Sequence, residues 1–182
     1  MATEKKSDGA DGPVSMGELL VPYLTVIWRF ALSLSGAPDL ADDLLQATCL
    51  RALEKAHLYR EDQNLKGWLL TICRSIWLNE LRSKAIRKTG SLENYTPDHF
   101  ADKKPGADVN ILAREVFSKV LELPEAQRAT VELVYVEQFT YREAAEILGV
   151  PLGTVMSRLH HARKALKTWE PELFAEKESK RK

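Results

Sequence analysis

The sequence predicts an all-α protein with two small helical domains joined by a flexible linker, the second domain containing a helix-turn-helix. Glycine and proline divide the chain into helical lengths from about Met16 to Lys88, and again from about Asn110 to Trp169. No segment alternates apolar and polar residues as a half-buried strand would. Residues 89–110 carry several glycines and prolines and few large apolar side chains, which is typical of a linker.

Composition narrows the protein classes before any motif is considered. The 182 residues are 45% hydrophobic and 29% charged with no formal net charge, as in ordinary globular proteins. Cys49 and Cys73 are the only cysteines, and no Cys/His group has metal-ligand spacing, so we expect neither a disulfide framework, nor a metal site, nor a cofactor. The N-terminus lacks the apolar region of a signal peptide, and no apolar stretch is long enough to span a bilayer. We therefore expect a cytoplasmic protein without membrane insertion.

The first predicted domain covers residues 16–88 and follows a disordered tail, residues 1–15. The turn at residues 36–39 begins a helix that we expect to run from an Asp39 N-cap to about His57. This helix is apolar on two sides. Leu45, Cys49, Ala52 and Leu53 form one side, and Leu40, Leu44, Ala47 and Leu50, bordered by Asp43 and Gln46, form the other. One of these sides is therefore a candidate surface for a partner protein. The alternative is that the helix lies at the centre of a bundle and is buried on both sides.

A second helix, from about Leu65 to Arg87, combines aromatic and basic residues. Residues 66–90 carry six basic groups and one acidic group, a net charge of +5. The predicted buried stripe is Leu69, Ile72, Cys73 and Ile76. Aromatic faces stack on unpaired bases while cations follow phosphates, so single-stranded nucleic acid is a candidate ligand. The candidate contacts are Trp68, Arg74, Ser75, Trp77, Asn79, Arg82 and Lys84. The alternative for both tryptophans is a place in the core.

The second predicted domain, residues 111–170, contains the sharpest local signal. Thr140 and Glu143 form a capping box, and Gly149 suits the left-handed end of a short helix. Pro151 then opens a longer helix. Its predicted buried stripe is Leu152, Val155, Leu159, Ala162 and Leu166. A short helix, a tight turn and a longer helix are typical of a helix-turn-helix that reads a major groove.

The outer face of this longer helix is polar and basic. Residues 151–168 carry four basic groups and no acid. The candidate duplex contacts are Gly153, Thr154, Ser157, Arg158, His160, His161, Arg163 and Lys164: polar groups for base edges, arginines for phosphates, and small residues for close approach. An ordinary helix hairpin with a solvated basic face is the alternative. Adjacent histidines point about 100° apart on a helix, so they predict no metal site.

These stretches together resemble the extracytoplasmic-function (ECF) sigma factors of bacterial RNA polymerase, in the sigma-70 family. The segments that carry the resemblance are residues 39–46, 65–74, 79–82, 123–128, 141–149 and 151–163. The resemblance covers about residues 16–88, like sigma region 2, and 111–168, like sigma region 4, in family order and with a family-like linker. Residues 171–182 are then a tail.

The resemblance implies a role for each surface. The first domain would dock on the clamp of the polymerase largest subunit through Asp39, Asp42, Asp43, Gln46 and Leu50, and would melt the −10 element with the aromatic and basic helix. The second would read duplex −35 DNA and sit on the flap of the next-largest subunit. The protein would be no enzyme, because polymerase supplies the chemistry, and an anti-sigma factor would restrain it.

Two positions depart from the family pattern. Many members have Asn where this chain has Ser75, and Lys or Arg where it has Met156. We expect the first departure to alter −10 preference and the second to remove one DNA contact. Two further hypotheses remain open from the residues alone. One is a stand-alone helix-turn-helix regulator of duplex operators, and the other is a small helical enzyme or adaptor, although no acid–base constellation supports catalysis.

Overall fold

The computed structural model describes residues 15–88 and 118–167. Within these two ranges the chain is helical and contains no strand, which confirms the predicted all-α class. The predicted linker at residues 89–110 lies outside the described residues. So do residues 1–14, the segments at 111–117 and 168–170, and the predicted tail from residue 171 onward.

The first half contains four α-helices and two short 3₁₀ turns. Ser15, placed by the sequence in the tail, caps the first helix through a capping box with Glu18. The helices are α1 (Met16–Leu20), α2 (Leu24–Ser35), α3 (Pro38–Glu54) and α4 (Leu65–Lys88), with 3₁₀ turns at Val21–Tyr23 and Ala56–Leu58. The predicted helix at 65–87 is thus confirmed to within a residue.

Helix α3 differs from its prediction at both ends. Asp39 is not the N-cap, because Ala37 is the extended residue before the helix and Pro38 is its first helical residue. Proline is favoured there because its ring presets the helical φ and it lacks only an amide that would be unpaired anyway. Asp39 instead lies in the first turn, where its negative charge interacts favourably with the positive end of the helix dipole. The helix ends at Glu54, before the predicted His57.

The second half has a helical turn at residues 118–121 and then three α-helices. They are α5 (Glu125–Val131), α6 (Tyr141–Leu148) and α7 (Leu152–Lys167), and a π-helical turn (Glu132–Val136) continues directly from α5. The predicted capping box is confirmed, because the Thr140 hydroxyl accepts from the Glu143 amide and the Glu143 carboxylate accepts from the Thr140 amide. Gly149 ends α6 at φ +55°, as predicted for the turn.

Both halves contribute to the buried core. The segment Met16–Ser35 is long and apolar enough to cross a membrane by length and composition alone, contrary to the expectation that no stretch would be. Its core-facing residues, however, pack inside this protein, as in a core helix: Leu20, Ile27, Phe30, Ala31, Leu32 and Leu34. Helix α2 packs on α3, α4 and α5, and α4 packs on α6, so the two halves lie against each other.

Arg128 of α5 links the two halves by hydrogen bonds at the C-terminal end of α2. Its guanidinium donates to the carbonyls of Ser33 (2.9 Å) and Leu34 (3.3 Å) in the first half. It also donates to those of Leu121 (3.1 Å) and Leu123 (2.9 Å) in its own half. Carbonyls at a helix end lack intrahelical partners, so a half-buried arginine satisfies groups that would otherwise need water.

Candidate functional site

The outer face of α7 is the predicted duplex-reading surface. Gly153, Ser157, His160, His161 and Lys164 are exposed, whereas Thr154, Arg158 and Arg163 are half-buried. No acidic residue lies between Leu152 and Lys167, so the face is electropositive. A Cβ added at Gly153 would meet no described atom within 4 Å, so packing within the protein does not require glycine there.

The inner face of α7 fixes how that surface is presented. Val155, Leu159 and Ala162 are fully buried and Leu166 nearly so, as the helical spacing predicted. Leu152 was predicted in the same stripe but is 40% exposed. It is the first residue of the helix, directly after Pro151, and lies beyond the edge of the apolar contact. Burial of the inner face sets the rotation of α7 and so directs the basic face outward.

The polar groups on this face make contacts within the helix. Ser157 Oγ donates to the Thr154 carbonyl at 3.0 Å, and Arg163 Nε donates to the Leu159 carbonyl at 3.3 Å. The rings of His160 and His161 meet edge to face, with centroids 5.6 Å apart. In the described part of the chain, no group of three or more His, Cys, Asp or Glu residues could hold a metal ion.

Helix α4 presents part of the predicted single-strand surface to solvent. Ser75, Asn79, Arg82 and Lys84 are exposed, and Arg82 donates to the Asn79 side-chain oxygen at 3.0 Å. Trp68 is half-buried, with its ring 5.4 Å from that of Tyr59. Ser75, Asn79 and Arg82 follow one another at spacings of four and three residues and so form a polar strip along one side of α4. Lys84 lies on another side of the helix, over the Trp77 ring.

Trp77 does not belong to that strip and corrects the prediction. Its side chain is buried, 5% exposed, and its indole nitrogen has no hydrogen-bond partner among the described atoms. A base could stack on this ring only after the core had opened. Lys84 Nζ lies over the ring, 5.7 Å from its centroid. We therefore remove Trp77 from the candidate strand contacts.

Arg74 lies where the two halves meet. Its Nε donates to the Leu148 carbonyl at 2.8 Å, at the C-terminal end of α6. Burial, followed by the nearby charge of Arg158, lowers the pKa of Arg74. A candidate −10 contact and a candidate −35 contact thus lie close together in this arrangement, and Arg74 is bound to protein rather than open to a ligand.

Helix α3 carries an exposed stripe opposite its buried one. Ala41, Leu44, Thr48 and Ala52 are buried. Asp39, Asp43, Gln46, Leu50 and Leu53 follow one another at spacings of three and four residues on the exposed side, where Leu50 is 63% exposed. Of the predicted polymerase contacts only Asp42 lies off this stripe. Its carboxylate accepts from Trp28 Nε1 at 2.7 Å.

A charged cluster between the halves was not predicted. We call it the interface cluster: Arg29 of α2, Lys66 of α4, and Glu132 and Glu137 at the π-helical turn. Glu137 accepts from Arg29 at 2.5 Å and from Lys66 at 3.3 Å, and Lys66 also donates to the Glu137 carbonyl at 2.8 Å. The Glu137 side chain is only 4% exposed.

The π-helical turn explains why the α-helical period of the sequence did not predict this cluster. Residues five apart on an α-helix point about 140° apart, so Glu132 and Glu137 would not share a face. Here the Glu137 amide donates to the Glu132 carbonyl at 2.9 Å, the bond of a π turn, which places the fifth residue nearly above the first. Both carboxylates then reach Arg29. The α-helical period alone gives no signal for this pair, because the pairing depends on the wider turn.

Glu132 is the least compensated member of the cluster. Its Oε1 lies 3.4 Å from Arg29 Nε but makes no hydrogen bond of acceptable geometry. Burial raises the pKa of Glu132 to about 7, because the attraction of Arg29 does not offset desolvation and the neighbouring Glu137 charge adds to it. Burial acts against the charge on Arg29 as well, but the hydrogen bond and charge of Glu137, with Glu132, still raise its pKa.

Comparison with known proteins places both halves in one family. Residues 19–86 match the family model described as Sigma-70 region 2, and residues 114–166 match that of Sigma-70, region 4. The ECF RNA polymerase sigma factor EcfG of Rhodopseudomonas palustris is 35% identical over 137 residues, 75% of each chain. SigL of Mycobacterium tuberculosis is 32% identical over 168 residues, 87% of this chain and 90% of SigL.

A solved structure agrees with these sequence relatives. The sigma factor RpoE of Bartonella quintana, in complex with the anti-sigma factor NepR, superposes with a TM-score of 0.66 and 28% identity over 83% of this chain and 93% of that one. A region 2 match upstream of the helix-turn-helix replaces the sensor or dimerisation domain that a stand-alone regulator would carry. The chain therefore belongs to the ECF sigma factors of the sigma-70 family and is an alternative sigma factor of RNA polymerase.

Proposed function

We propose that this sigma factor docks on the clamp of the largest polymerase subunit through the exposed stripe of α3. The observation that carries the proposal is the division of that helix, with one side buried in the core and an acidic, amide and leucine stripe left on the other. Apolar side chains that no neighbour covers are typical of a partner surface. Leu50 and Leu53 are the apolar centre, and Asp43 and Gln46 are the polar edge.

The exposed strip of α4 is the proposed −10 surface. On this strip, Arg82 would contact the strand phosphates, Ser75 and Asn79 would contact bases, and Trp68 at its end would stack. Lys84, on another side of the same helix, would add a second phosphate contact. Extruding a base costs a few kcal/mol, which stacking and hydrogen bonds in a fitted site offset. Ser75 stands where many relatives carry Asn, so we expect this chain to prefer a different −10 base at that position.

The basic face of α7 is the proposed −35 surface, and it enters the major groove. Ser157, His160, His161 and Lys164 would meet base edges, while Arg158 and Arg163 would contact phosphates. Each half supplies a modest DNA affinity, and docking of both on polymerase, at the clamp and at the flap, makes the two contacts act together. Polymerase supplies the chemistry, and the sigma factor supplies specificity without cofactor or metal.

We further propose that the protein acts in the cytoplasm, where polymerase and promoters are, and that an anti-sigma factor restrains it. The Bartonella quintana sigma factor was solved with the anti-sigma factor NepR, which supports a partner of this class for the present chain.

Binding of core polymerase tests the docking surface. Leu50→Asp should weaken binding at least tenfold, because it places a charge at the centre of the contact. Val21→Asp is the matched control, because Val21 is an apolar residue of the same half with 64% exposure against 63% for Leu50. Equal loss in both variants, or no loss in Leu50→Asp, would contradict the proposed surface. Binding is measured by fluorescence anisotropy of the labelled sigma factor.

DNA binding without polymerase separates this function from that of a stand-alone regulator. Run-off transcription with core polymerase and a genomic library should yield defined start sites with common −10 and −35 elements. A mobility shift on the same promoters with the free protein should give little specific complex. Tight specific binding by the free protein would favour the regulator instead.

A further inference from the structure

Met156 is an exposed apolar side chain within the proposed −35 surface. It is 47% exposed, and among the described residues it is not one of the apolar side chains that pack against the core. Its exposed neighbours on the same helix, Gly153, Ser157 and His160, are a glycine and two polar residues. Packing inside the described protein therefore gives no reason for a methionine at this position.

The direction in which Met156 points is fixed by the buried side of α7. Val155, directly before it, and Leu159, three residues after it, are both 0% exposed, so the helix cannot rotate about its axis without exposing them. At 100° per residue, Met156 lies about 40° from His160 and about 60° from Gly153 around the axis. It also lies between those two along the axis, so a groove that both of them face must also meet Met156.

The neighbours of Met156 leave this part of the groove side to it. Gly153 has no side chain. Ser157 Oγ donates its hydrogen to the Thr154 carbonyl at 3.0 Å, which leaves that hydroxyl as an acceptor only. Met156 is therefore the side chain that fills the space between Gly153 and His160 on the groove side.

A methionine distinguishes base pairs through apolar contact. It has no hydrogen-bond donor, and its thioether sulfur is a weak acceptor. In the major groove the base edges present donors and acceptors, together with one apolar group, the C5-methyl of thymine. Methionine over a base donor or acceptor removes water without replacing the hydrogen bond, whereas methionine over a methyl group removes apolar surface of both partners from water. Its unbranched, flexible chain can adjust to the position of the methyl group.

We propose that Met156 reads a thymine of the −35 element by packing against its C5-methyl group. The inference rests on the proposed insertion of α7 into the major groove and goes beyond it, because it names a base and an atom. The Lys or Arg that many members of the family carry here would add a salt-dependent contact, whereas methionine supplies one that depends on the base. Leu152, about 40° nearer to the buried stripe, is not part of this contact.

Deoxyuridine tests the contact, because uracil lacks the C5-methyl of thymine and keeps its hydrogen-bonding edge. In a promoter identified by run-off transcription, each thymine of the −35 element is replaced in turn, on either strand. The Kd of the assembled polymerase complex is then measured by filter binding. One replacement should weaken wild-type binding about threefold to fivefold, the effect of one buried methyl group, and should not change binding by Met156→Ala.

Two further variants separate apolar reading from a general effect on α7. Met156→Leu keeps an apolar side chain and should keep the preference for thymine over uracil. Met156→Lys should lose the preference and should steepen the salt dependence of binding by about one released counterion. Val136→Ala is the matched control, because Val136 is an apolar residue of the same half with 48% exposure against 47% for Met156. It should keep the full preference.

The inference is overturned if no deoxyuridine replacement weakens wild-type binding, if Met156→Ala keeps the wild-type preference, or if the −35 element contains no A·T pair. A scrambled −35 element reports separately on the proposed function. Binding that weakens on scrambling but does not respond to deoxyuridine disproves the methyl contact and leaves the −35 surface standing. Binding that is unchanged on scrambling disproves both.

Discussion

Glu132 is the residue whose protonation is most tightly tied to the fold. It is buried beside Arg29, with Glu137 and Lys66 completing the charged groups that surround it. Its pKa rises from an ordinary 4.5 to about 7, so the folded chain binds this proton more tightly than the unfolded chain does. The stability this proton brings is complete below pH 4.5 and is lost as the pH rises through about 7.

Glu132→Gln should remove that pH dependence, because an amide stays neutral throughout. Between pH 5 and pH 8 the wild type should lose up to about 3 kcal/mol more unfolding free energy than the variant loses. Urea denaturation at the two pH values measures the difference. Glu122→Gln, an exposed carboxylate, is the control for removing a charge. A wild type and Glu132→Gln that respond identically to pH would show that Glu132 is not buried in solution.

At the scale of the helices, α7 has a glycine that packing within the described residues does not require. Gly153 lies in the first turn, is exposed, and has an open space where a Cβ would be. Glycine costs a helix about 0.5–1 kcal/mol relative to alanine. Helix α7 is therefore less stable with glycine than it would be with alanine. The proposed −35 surface gives a reason for glycine here, because it allows close approach to DNA.

Gly153→Ala should separate stability from DNA reading. We expect the free energy of unfolding to rise by about 0.5 kcal/mol, while promoter affinity of the polymerase complex falls several-fold as the methyl group meets the DNA. Thermal unfolding and filter binding with assembled polymerase are the two measurements. Leu152→Ala, at the partly exposed neighbouring position, controls for a general disturbance of the turn. Unchanged promoter affinity would remove Gly153 from the −35 surface.

The helices themselves were largely predictable, because their signals are local. The capping box at Thr140, the stop at Gly149 and the apolar spacing of α7 act within a few residues, and each is confirmed except that Leu152 lies outside the buried stripe. Asp39 failed as an N-cap because Pro38 competes for the helix start. Trp77 was ambiguous because composition places an aromatic side chain equally well in a core or on a base.

The contacts between the halves could not be predicted in the same way. Arg128 binds two carbonyls that lie 95 and 94 residues before it in the sequence, those of Ser33 and Leu34. It also binds two carbonyls of its own half, and no local sequence pattern relates the four. The interface cluster depends on a π-helical turn, which pairs Glu132 with Glu137 against the helical period. Long-range charge pairing follows only once the packing of α2 on α5 is known.

At the scale of the whole molecule, Arg74 and Arg82 differ in whether they bind across the two halves. Both are candidate −10 contacts on α4. Arg74 donates across the interface to Leu148, whereas Arg82 bonds only within its own helix among the described contacts, to Asn79. Arg74 would therefore have to give up its bond to Leu148 before its guanidinium could contact a DNA strand.

Alanine at these two positions should therefore have different effects on the free protein and similar effects on transcription. Arg74→Ala should lower the free energy of unfolding by about 1–2 kcal/mol, because a half-buried charged hydrogen bond is lost, partly offset by relief of the repulsion from Arg158. Arg82→Ala, an exposed change, should stay within about 0.5 kcal/mol. Promoter opening by the polymerase complex, followed by permanganate reactivity of unpaired thymines, should fall in both. If Arg74→Ala proved as stable as the wild type, the contact between the halves would be absent from the free protein. If Arg82→Ala opened promoters normally, the strip along α4 would not be the −10 surface.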